Sequence, residues 1–440
     1  MSETENRIVA QPTKDLFISM LVKDIELSKA IADLVDNSVD GAQRLRGDGI
    51  LEGLYVDMHV SGQNFTIRDN CGGIEVDLAR RYAFRFGRPP DMPITKHSVG
   101  QFGVGMKRAL FKLGRRFEID ATAKNSQFHL VIDVDLWRNH DRWEFEFDDL
   151  KENLAEIPEE QRGTTIKVAP LHEQVSEEFS LDFFLSRLSQ ELSDAHVETL
   201  SRGLTIKLNN QELKHRPIQF KQSDELQPAY VEKNYHLKDR DNVAVRIYTG
   251  ISESDPSLAG WYVFCNGRLV LKADRTSVTG WDYGRLIPRY HNQFARFRGY
   301  AFFDSQDASL LPWNTTKNGV DVDSGIYRAA KVEMVNLMRP VITFLNHLDD
   351  EHDRVQATDQ RVMEKAVDAA PLVTISDLTA SALFVAPHPN VEVRPPKTGR
   401  IQYSKPLDEI DKVRTALKVS TLRDVGEKTF EYFLRLECET

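Results

Sequence analysis

A strip of acidic side chains on one predicted helix is the first feature of the sequence that can do chemistry. Residues 30–42 read AIADLVDNSVDGA, and their apolar residues recur at helical spacing, which predicts a helix with one buried face. At about 100° per residue, three carboxylates and one amide share another face of this helix: Asp33, Asp36, Asn37 and Asp40. Like charges one turn apart repel, so the strip is either an ordinary solvated face or a site that receives positive charge. In the second case the Asn37 amide oxygen suits Mg²⁺, and Asp33 can act as a general base toward water.

A second motif, IRDNCGGI at residues 67–74, places a carboxylate at the end of a predicted strand, just before two glycines. There Asp69 can accept a hydrogen bond from an exocyclic amine such as that of adenine. A glycine beside it lets a planar ring come close to the backbone. An ordinary turn is the alternative for this stretch taken alone.

A third motif, SVGQFGVGMKRALFKLG at residues 98–114, is a glycine-rich loop that leads into a predicted amphipathic helix. Gly100, Gly103 and Gly105 can expose backbone N–H groups to a polyphosphate before the helix that carries Lys107. The glycine spacing differs from both the P-loop and the dinucleotide fingerprint, and a flexible loop is the alternative. A fourth motif, RGTTIKV, predicts a strand whose threonine hydroxyls can reach a bound base.

In this order the four motifs resemble the GHKL ATPase superfamily of gyrase, heat-shock chaperones, histidine kinases and MutL. DLVDNSVD resembles the N box, DNCGGI the first glycine box, GQFGVGMK the lid and GTT the last box. The lid is most similar to those of the MORC and heat-shock-chaperone branch. The resemblance implies a Bergerat nucleotide-binding fold that binds ATP and Mg²⁺ and hydrolyses ATP.

The resemblance also implies roles for single residues. By position, Asn37 would coordinate Mg²⁺, Asp69 would read adenine and Asp33 would orient the attacking water. Gly73 would flank the adenine ring, and Thr164 would support the adenine site. The residues that would close over the phosphates are Gly100, Gly103, Gly105 and Lys107. Two departures from the family pattern matter: Asp33 stands where a glutamate is usual, which predicts slow turnover, and Cys71 stands where the first glycine of the box is expected.

The second half of the chain carries two features that resemble MutL and MORC transducer domains. FCNGRLVL is similar to their Asn-Gly-Arg hairpin, although Asn-Gly is also the favoured turn of any hairpin. LPWNTTKNGVD places Lys317 in a polar loop before a long helix predicted from Tyr327 to Leu348. In the resembling families such a lysine reaches the γ-phosphate, and Lys317 is the candidate here. A solvated loop lysine is the alternative.

The remaining pattern predicts an α/β protein in three parts. Strands are predicted in YVDMHV, FTIRD, RFEIDAT, FHLVIDV, WEFEF and TTIKVAP, and a second α/β unit is expected to start near Leu204 with LTIKLNN. We therefore predict a Bergerat-type α/β sandwich over residues 1–175, a linker helix and ribosomal-protein-S5-like α/β transducer domain over 176–348, and a linker with a helical tail over 349–440. Ser420 is the expected N-cap of the second tail helix.

Composition limits the setting and the partners. The net charge of −10 argues against a generally basic surface, and RYHNQFARFRGY at residues 289–300 is predicted as an amphipathic core helix, with single-stranded nucleic acid binding as the alternative. Three cysteines, no secretory signal and no membrane-length apolar run favour a cytoplasmic protein that does not enter a membrane.

These observations lead to two functional hypotheses. The first is an ATP-hydrolysing, nucleotide-gated clamp that dimerises on ATP binding through its N-terminal segment, PTKDLFISMLVKD. The second is a nucleotide-sensing adaptor with little hydrolysis, whose C-terminal tail recruits a separate protein effector. The client, the pathway and a nucleic-acid partner are left open by the sequence.

Overall fold

The structure of the 440-residue chain is a computed structural model. The structure describes residues 13–23, 25–47, 49–87, 98–99, 105–236, 242–284, 286–314, 317–354, 361–379, 381–388 and 401–438. The chain divides into two compact units, Met1–Pro389 and Asn390–Thr440. Among the described residues, no helix has both the length and the apolar character needed to cross a bilayer.

The first sheet has eight strands. They are β1 Tyr55–Val60, β2 Phe65–Asp69, β3 Arg116–Thr122, β4 Gln127–Asp133, β5 Asp149–Lys151, β6 Gly163–Val168, β7 Thr205–Leu208 and β8 Gln211–Glu212. Their order is β5-β4-β3-β6-β2-β1-β7-β8, and all neighbours are antiparallel except β1 and β7, which are parallel. Side chains in β4 alternate between buried and half-buried, as expected when one face of a sheet packs on helices.

Eight helices in the described part of the chain accompany this sheet. They are α1 Lys14–Lys23, α2 Leu27–Arg46, α3 Val76–Leu78, α4 Gly105–Leu113, α5 Val134–Arg138, α6 Glu173–Phe179, α7 Asp182–Ala195 and α8 Val197–Ser201, and α3 continues as a π-helical turn over Ala79–Ala83. The apolar face of α2 forms one core with β1 and α4, in which Leu34, Met58 and Phe111 are buried. This helical layer on one sheet is the α/β sandwich that the sequence predicts.

The second sheet has five strands in the order β10-β11-β14-β12-β13, in which β12 and β14 are parallel and the other neighbours antiparallel. They are β10 Ala229–Tyr235, β11 Val243–Ile251, β12 Gly260–Cys265, β13 Arg268–Asp274 and β14 Phe297–Ser305. The long helix α9, Gly325–Arg354, covers one face through Tyr327 and Met338. Phe220, Phe264 and Tyr300 belong to a second, smaller hydrophobic core.

Three short elements complete the first unit: β9 Gln219–Lys221, α10 Val362–Ala369 and β15 Leu372–Thr374, with β9 and β15 paired antiparallel. The second unit contains α11 Leu407–Leu417 and α12 Leu422–Phe433, which continues as a π-helical turn over Leu434–Cys438. Val425 is buried there, whereas Phe430 and Phe433 are 55% and 61% exposed. The helical C-terminal tail predicted from the sequence is therefore present.

Four local predictions were wrong. The strand near Leu204 does not start the second sheet, because Thr205–Leu208 pairs with β1 in the first. WEFEF is not a strand, and β5 forms just after it. Residues 289–300 are not a helix, because a short 3₁₀ turn at Asn292–Phe294 leads into β14. The N-cap of α12 is Thr421, whose hydroxyl accepts from the Asp424 N–H, and not Ser420.

Candidate functional site

The acidic strip on α2 is buried, apart from its amide. Asp33, Asp36 and Asp40 are 4%, 0% and 6% exposed, whereas Asn37 is exposed. The prediction of an ordinary solvated face therefore fails for the three carboxylates. Because an unpaired buried charge is costly, each carboxylate needs a partner from elsewhere in the fold.

Two cations hold Asp33. The Arg108 guanidinium donates from Nη2 to Asp33 Oδ2 at 2.7 Å, and the Lys317 ammonium donates from Nζ to Asp33 Oδ1 at 3.2 Å. The start of α4 also presses on this carboxylate, since a Cβ at Gly105 would lie 3.2 Å from Asp33 Oδ2. Both oxygens of the candidate general base are thus engaged.

Asp36 is the most enclosed of the carboxylates and has the richest set of neighbours. Lys317 Nζ donates to its Oδ2 at 2.7 Å, Arg268 Nε lies 2.9 Å from its Oδ1, and His196 Nε2 lies 3.6 Å from the same oxygen. Burial alone would raise the pKa of Asp36, but Arg268 and Lys317 together lower it to about 2. Burial, with Arg268 nearby, lowers the pKa of His196 to about 3, so this imidazole is neutral.

Lys317 reaches this site from a position before α9, in the second half of the chain. Its φ is 52°, in the left-handed region that non-glycine residues seldom adopt, and its N–H donates to the Asn314 carbonyl at 3.0 Å. Burial alone would lower the pKa of Lys317, but Asp36 and Asp33 raise it above its ordinary value. Lys317 is therefore charged and buried on the acidic strip, and it is not a solvated loop lysine.

Asp69 at the end of β2 is fixed by three hydrogen bonds. Its Oδ2 accepts from the Ser38 hydroxyl at 2.8 Å, and its Oδ1 accepts from the backbone N–H groups of Cys71 at 2.9 Å and Thr164 at 3.3 Å. Burial raises the pKa of Asp69, although these donors act in the opposite direction. Because Ser38 lies on α2, the helix that carries the acidic strip also holds the Asp69 carboxylate.

Glycines allow backbone segments near Asp69 to approach one another closely. A Cβ at Gly73, whose φ is +72°, would lie 2.0 Å from the Thr122 carbonyl oxygen. A Cβ at Gly163 would lie 2.0 Å from the Asp69 carbonyl oxygen, and one at Gly41 would lie 2.5 Å from the Cys71 carbonyl oxygen. The close approach at Gly73 is thus to strand β3. Cys71 is accommodated as a buried side chain at the expected glycine position.

The predicted lid is described in part. Gly100 and Gly103 lie outside the described residues, and Gly105 is the first residue of α4. The Lys107 ammonium donates to the Ala83 carbonyl at 2.8 Å, and burial lowers its pKa to about 7. The ammonium of Lys107, a residue of α4, therefore contacts the π-helical turn after α3, and its role at a phosphate stays a prediction.

The Asn-Gly-Arg hairpin between β12 and β13 connects the second sheet to the site. Asn266 and Gly267 have φ angles of 46° and 76°, as a type I′ turn requires. The Asn266 amide donates to the carbonyls of Ser98 and Ser305, both at 3.1 Å. Next to Ser98, the Val99 N–H donates to Asp40 Oδ1 at 2.7 Å, so the base of the lid is attached to α2 and to the hairpin.

Sequence reasoning missed four contributors: Arg108, Arg268, His196 and Ser38. Arg268 is part of the hairpin motif, and Arg108 directly follows Lys107, so both lay inside quoted motifs without a role. The structure brings Asp33, Lys317 and the strip together and locks Asp69 to Ser38 and Thr164. It leaves the Asn37 side chain exposed beside the buried carboxylates.

Part of the chain matches a family model. The family model described as "Histidine kinase-, DNA gyrase B-, and HSP90-like ATPase" matches residues 25–164, a span that runs from the acidic strip to the Gly-Thr-Thr motif. No curated protein matches the chain.

Proposed function

Through residues 25–164 this chain belongs to the GHKL superfamily of histidine kinase-, DNA gyrase B- and HSP90-like ATPases, and we propose that it is a slow, nucleotide-gated conformational clamp. ATP would bind between the acidic strip and Asp69, and the second sheet would respond through Lys317. The lid motif GQFGVGMK favours the MORC and heat-shock-chaperone branch.

The contact between Lys317 and the acidic strip is the observation that carries this proposal. The lysine is 284 residues from Asp33 in sequence, and its ammonium is buried between two carboxylates of α2. A terminal phosphate placed beside Asp33 would compete for the same ammonium, because phosphate oxygens are strong acceptors for lysine. The position of the second sheet would then depend on whether the third phosphate is present.

Asp69 and Asn37 would bind the nucleotide and its metal. The fixed, buried carboxylate of Asp69 suits an exocyclic amine, since it can accept a further hydrogen bond from a donor. The exposed Asn37 amide, one turn from Asp33, supplies the single oxygen ligand that Mg²⁺ needs when phosphates and waters fill its other positions. When bound, the metal would neutralise charge on the phosphates. Gly73, Gly100, Gly103, Gly105, Lys107 and Thr164 keep their proposed places around the base and phosphates.

Hydrolysis would use Asp33 as the base. A water oxygen attacks the γ-phosphorus in line with the leaving ADP oxygen, and the proton of the water passes to Asp33. Lys317 contacts Asp33 Oδ1 in this structure, so movement of the lysine would make room at this oxygen for the attacking water. Turnover is therefore expected to be slow and coupled to the movement of Lys317.

The N-terminal helix α1 is the proposed dimer contact. The Lys14 ammonium donates to the carbonyls of Trp137, His140 and Arg142 at 2.6, 2.5 and 2.7 Å and so fixes α1 to its own domain. Leu16 and Met20 on the same helix are 53% and 56% exposed. An anchored helix with exposed apolar side chains is a suitable surface for a second copy of the chain.

Nucleic acid is not proposed to bind through residues 289–300. Phe294, Phe297 and Tyr300 are buried, and the Arg298 guanidinium donates to backbone carbonyls, including that of Glu253 at 3.0 Å. These side chains therefore cannot stack on bases, and the choice of client stays open.

A second candidate function, the nucleotide-sensing adaptor, is favoured by two observations. The side chain of Asp33 is one methylene shorter than the glutamate of hydrolysing relatives, and both of its oxygens are held by cations. Apolar side chains of the C-terminal helices, among them Leu422, Phe430 and Phe433, are exposed and could receive an effector protein.

Phosphate release at saturating ATP distinguishes the two functions. For the clamp, Asp33→Ala should reduce the rate to background, and Lys317→Met should reduce it at least about tenfold while ADP binding is retained. Lys214→Met, which changes an exposed lysine, is the control. Equal background rates in the parent protein and Asp33→Ala would leave only the adaptor.

A further inference from the structure

The ion pairs around Asp36 contain one more cation than carboxylates. Five buried side chains, which we call the Asp36 cluster, are joined by these contacts: Asp33, Asp36, Arg108, Arg268 and Lys317. His196 also touches Asp36 but is neutral, because its pKa is about 3. Two negative charges therefore meet three positive charges away from solvent, in the part of the chain that the structure describes.

Lys317 is the shared cation of this cluster. It contacts both carboxylates, whereas Arg108 contacts Asp33 and Arg268 contacts Asp36. If Lys317 leaves, each carboxylate keeps one arginine, and the cluster becomes electrically neutral. Lys317 can thus move to a phosphate without leaving a buried carboxylate unpaired.

Arg268 is held in place independently of Lys317. Its guanidinium donates from Nη1 to the Leu269 carbonyl at 3.3 Å, and it follows directly on the hairpin turn. That turn is fixed by Asn266, whose amide bonds to Ser98 and Ser305 and whose Oδ1 accepts from the Ser305 N–H at 2.9 Å. The arginine is therefore a stationary partner for Asp36, whereas the lysine ammonium is carried on a flexible four-carbon stem.

We propose that Arg268 is a positioning residue, which keeps Asp36 paired so that Lys317 can leave the Asp36 cluster for the terminal phosphate of bound ATP. This inference rests on the proposed function and deepens it. It gives the Asn-Gly-Arg hairpin a task that is separate from forming a turn. Without Arg268, movement of Lys317 would leave the fully buried Asp36 carboxylate without a cation. The chain would then bind ATP no more tightly than ADP.

The test compares the affinities of a non-hydrolysable ATP analogue and of ADP, each with Mg²⁺, for the full chain. In Arg268→Gln the ratio of the two affinities should fall at least about tenfold, while ADP affinity is unchanged, because only the analogue draws on Lys317. Arg268→Lys should keep most of the ratio. The double variant Asp36→Asn/Arg268→Gln should restore it, since the carboxylate that needs Arg268 is then gone.

Arg246→Gln is the matched control. Arg246 is a half-buried arginine of β11 that pairs with Asp304 at 2.8 Å and lies outside the Asp36 cluster, so its removal should leave the ratio intact. An equal loss of both affinities in Arg268→Gln, an unchanged ratio, or no recovery in the double variant would overturn the inference. If Lys317→Met abolishes the preference for the analogue but Arg268→Gln does not, the proposed function stands and this inference fails. If the parent protein binds neither nucleotide, the proposed function itself is wrong.

Discussion

At the scale of single residues, the site depends on carboxylates that are buried beside cations from distant parts of the chain. Arg108 and Lys317 are 75 and 284 residues from Asp33. The sequence identifies the acidic residues because helical spacing places them on one face. It does not identify Arg108 and Arg268 as their partners, because no local pattern states which distant side chain a buried charge will meet.

His196 gives a pH-dependent prediction at this scale. Its pKa is about 3 in the folded chain and about 6.5 in an unfolded one. Between these values the unfolded chain binds a proton that the folded chain does not, so the free energy of unfolding should rise with pH across this window. At about 1.4 kcal/mol per pKa unit, the contribution is on the order of 5 kcal/mol. Asp36, whose pKa is about 2 in the folded chain against an ordinary value of 3.8, acts in the same direction, but only at the acid end of this window, below about pH 4.

The measurement is urea unfolding at several pH values between about 3.5 and 6.5. His196→Gln should show a smaller increase in the free energy of unfolding than the parent protein over this range. His129→Gln, which changes a partly exposed histidine, is the control. Parallel pH profiles for His196→Gln and the parent would show that His196 is not buried as a neutral group.

At the scale of elements, the local sequence pattern predicted the bounds of individual strands better than it predicted which strands pair. β1 and β2 coincide with YVDMHV and FTIRD, because the alternation of apolar and polar residues in these stretches predicts their alternating burial. The parallel pairing of β7 with β1 is set by the path of α7 and α8, which no short stretch encodes. Residues 289–300 were mistaken for a helix because β14 is buried along nearly its whole length and therefore lacks alternation.

The loop around Gly73 gives the prediction at this scale. Gly73 and Gly53 both have positive φ, but only at Gly73 would a Cβ meet backbone, 2.0 Å from the Thr122 oxygen; at Gly53 it would meet nothing within 4 Å. Gly53→Ala should therefore report backbone strain alone, about 1–2 kcal/mol. Gly73→Ala should cost about 2 kcal/mol more in the free energy of unfolding, because strand β3 must also shift. Equal losses in thermal or urea unfolding would show that the loop does not press on β3.

At the scale of the whole molecule, the hairpin and the Lys317 loop join the second sheet to the acidic strip. This coupling follows from the fold and not from the predicted boundaries at residues 175 and 348, which remain predictions. In the proposed function, these contacts are the route by which a bound nucleotide would act on the second sheet, since both end on α2.

Association of two chains is the matching prediction. With Mg²⁺ and a non-hydrolysable ATP analogue the full chain should change from monomer to dimer in sedimentation velocity, and with ADP it should not. Leu16→Ser/Met20→Ser should prevent the change, because it removes the exposed apolar side chains of α1. Leu181→Ser/Leu383→Ser changes two exposed leucines outside α1 and α5 and should have no effect. A monomer under every condition would exclude the clamp.

Calorimetric titration of the full chain with Mg²⁺ and ATP will show whether the acidic strip and Asp69 form one nucleotide site. We expect that one ATP binds per chain and that Asp69→Asn weakens binding about tenfold to a hundredfold, because a charged acceptor for the adenine amine is lost. Asp149→Asn, which changes an exposed aspartate of β5, should bind ATP like the parent protein. No heat of binding in the parent protein, or equal affinities in the parent and Asp69→Asn, would contradict the account.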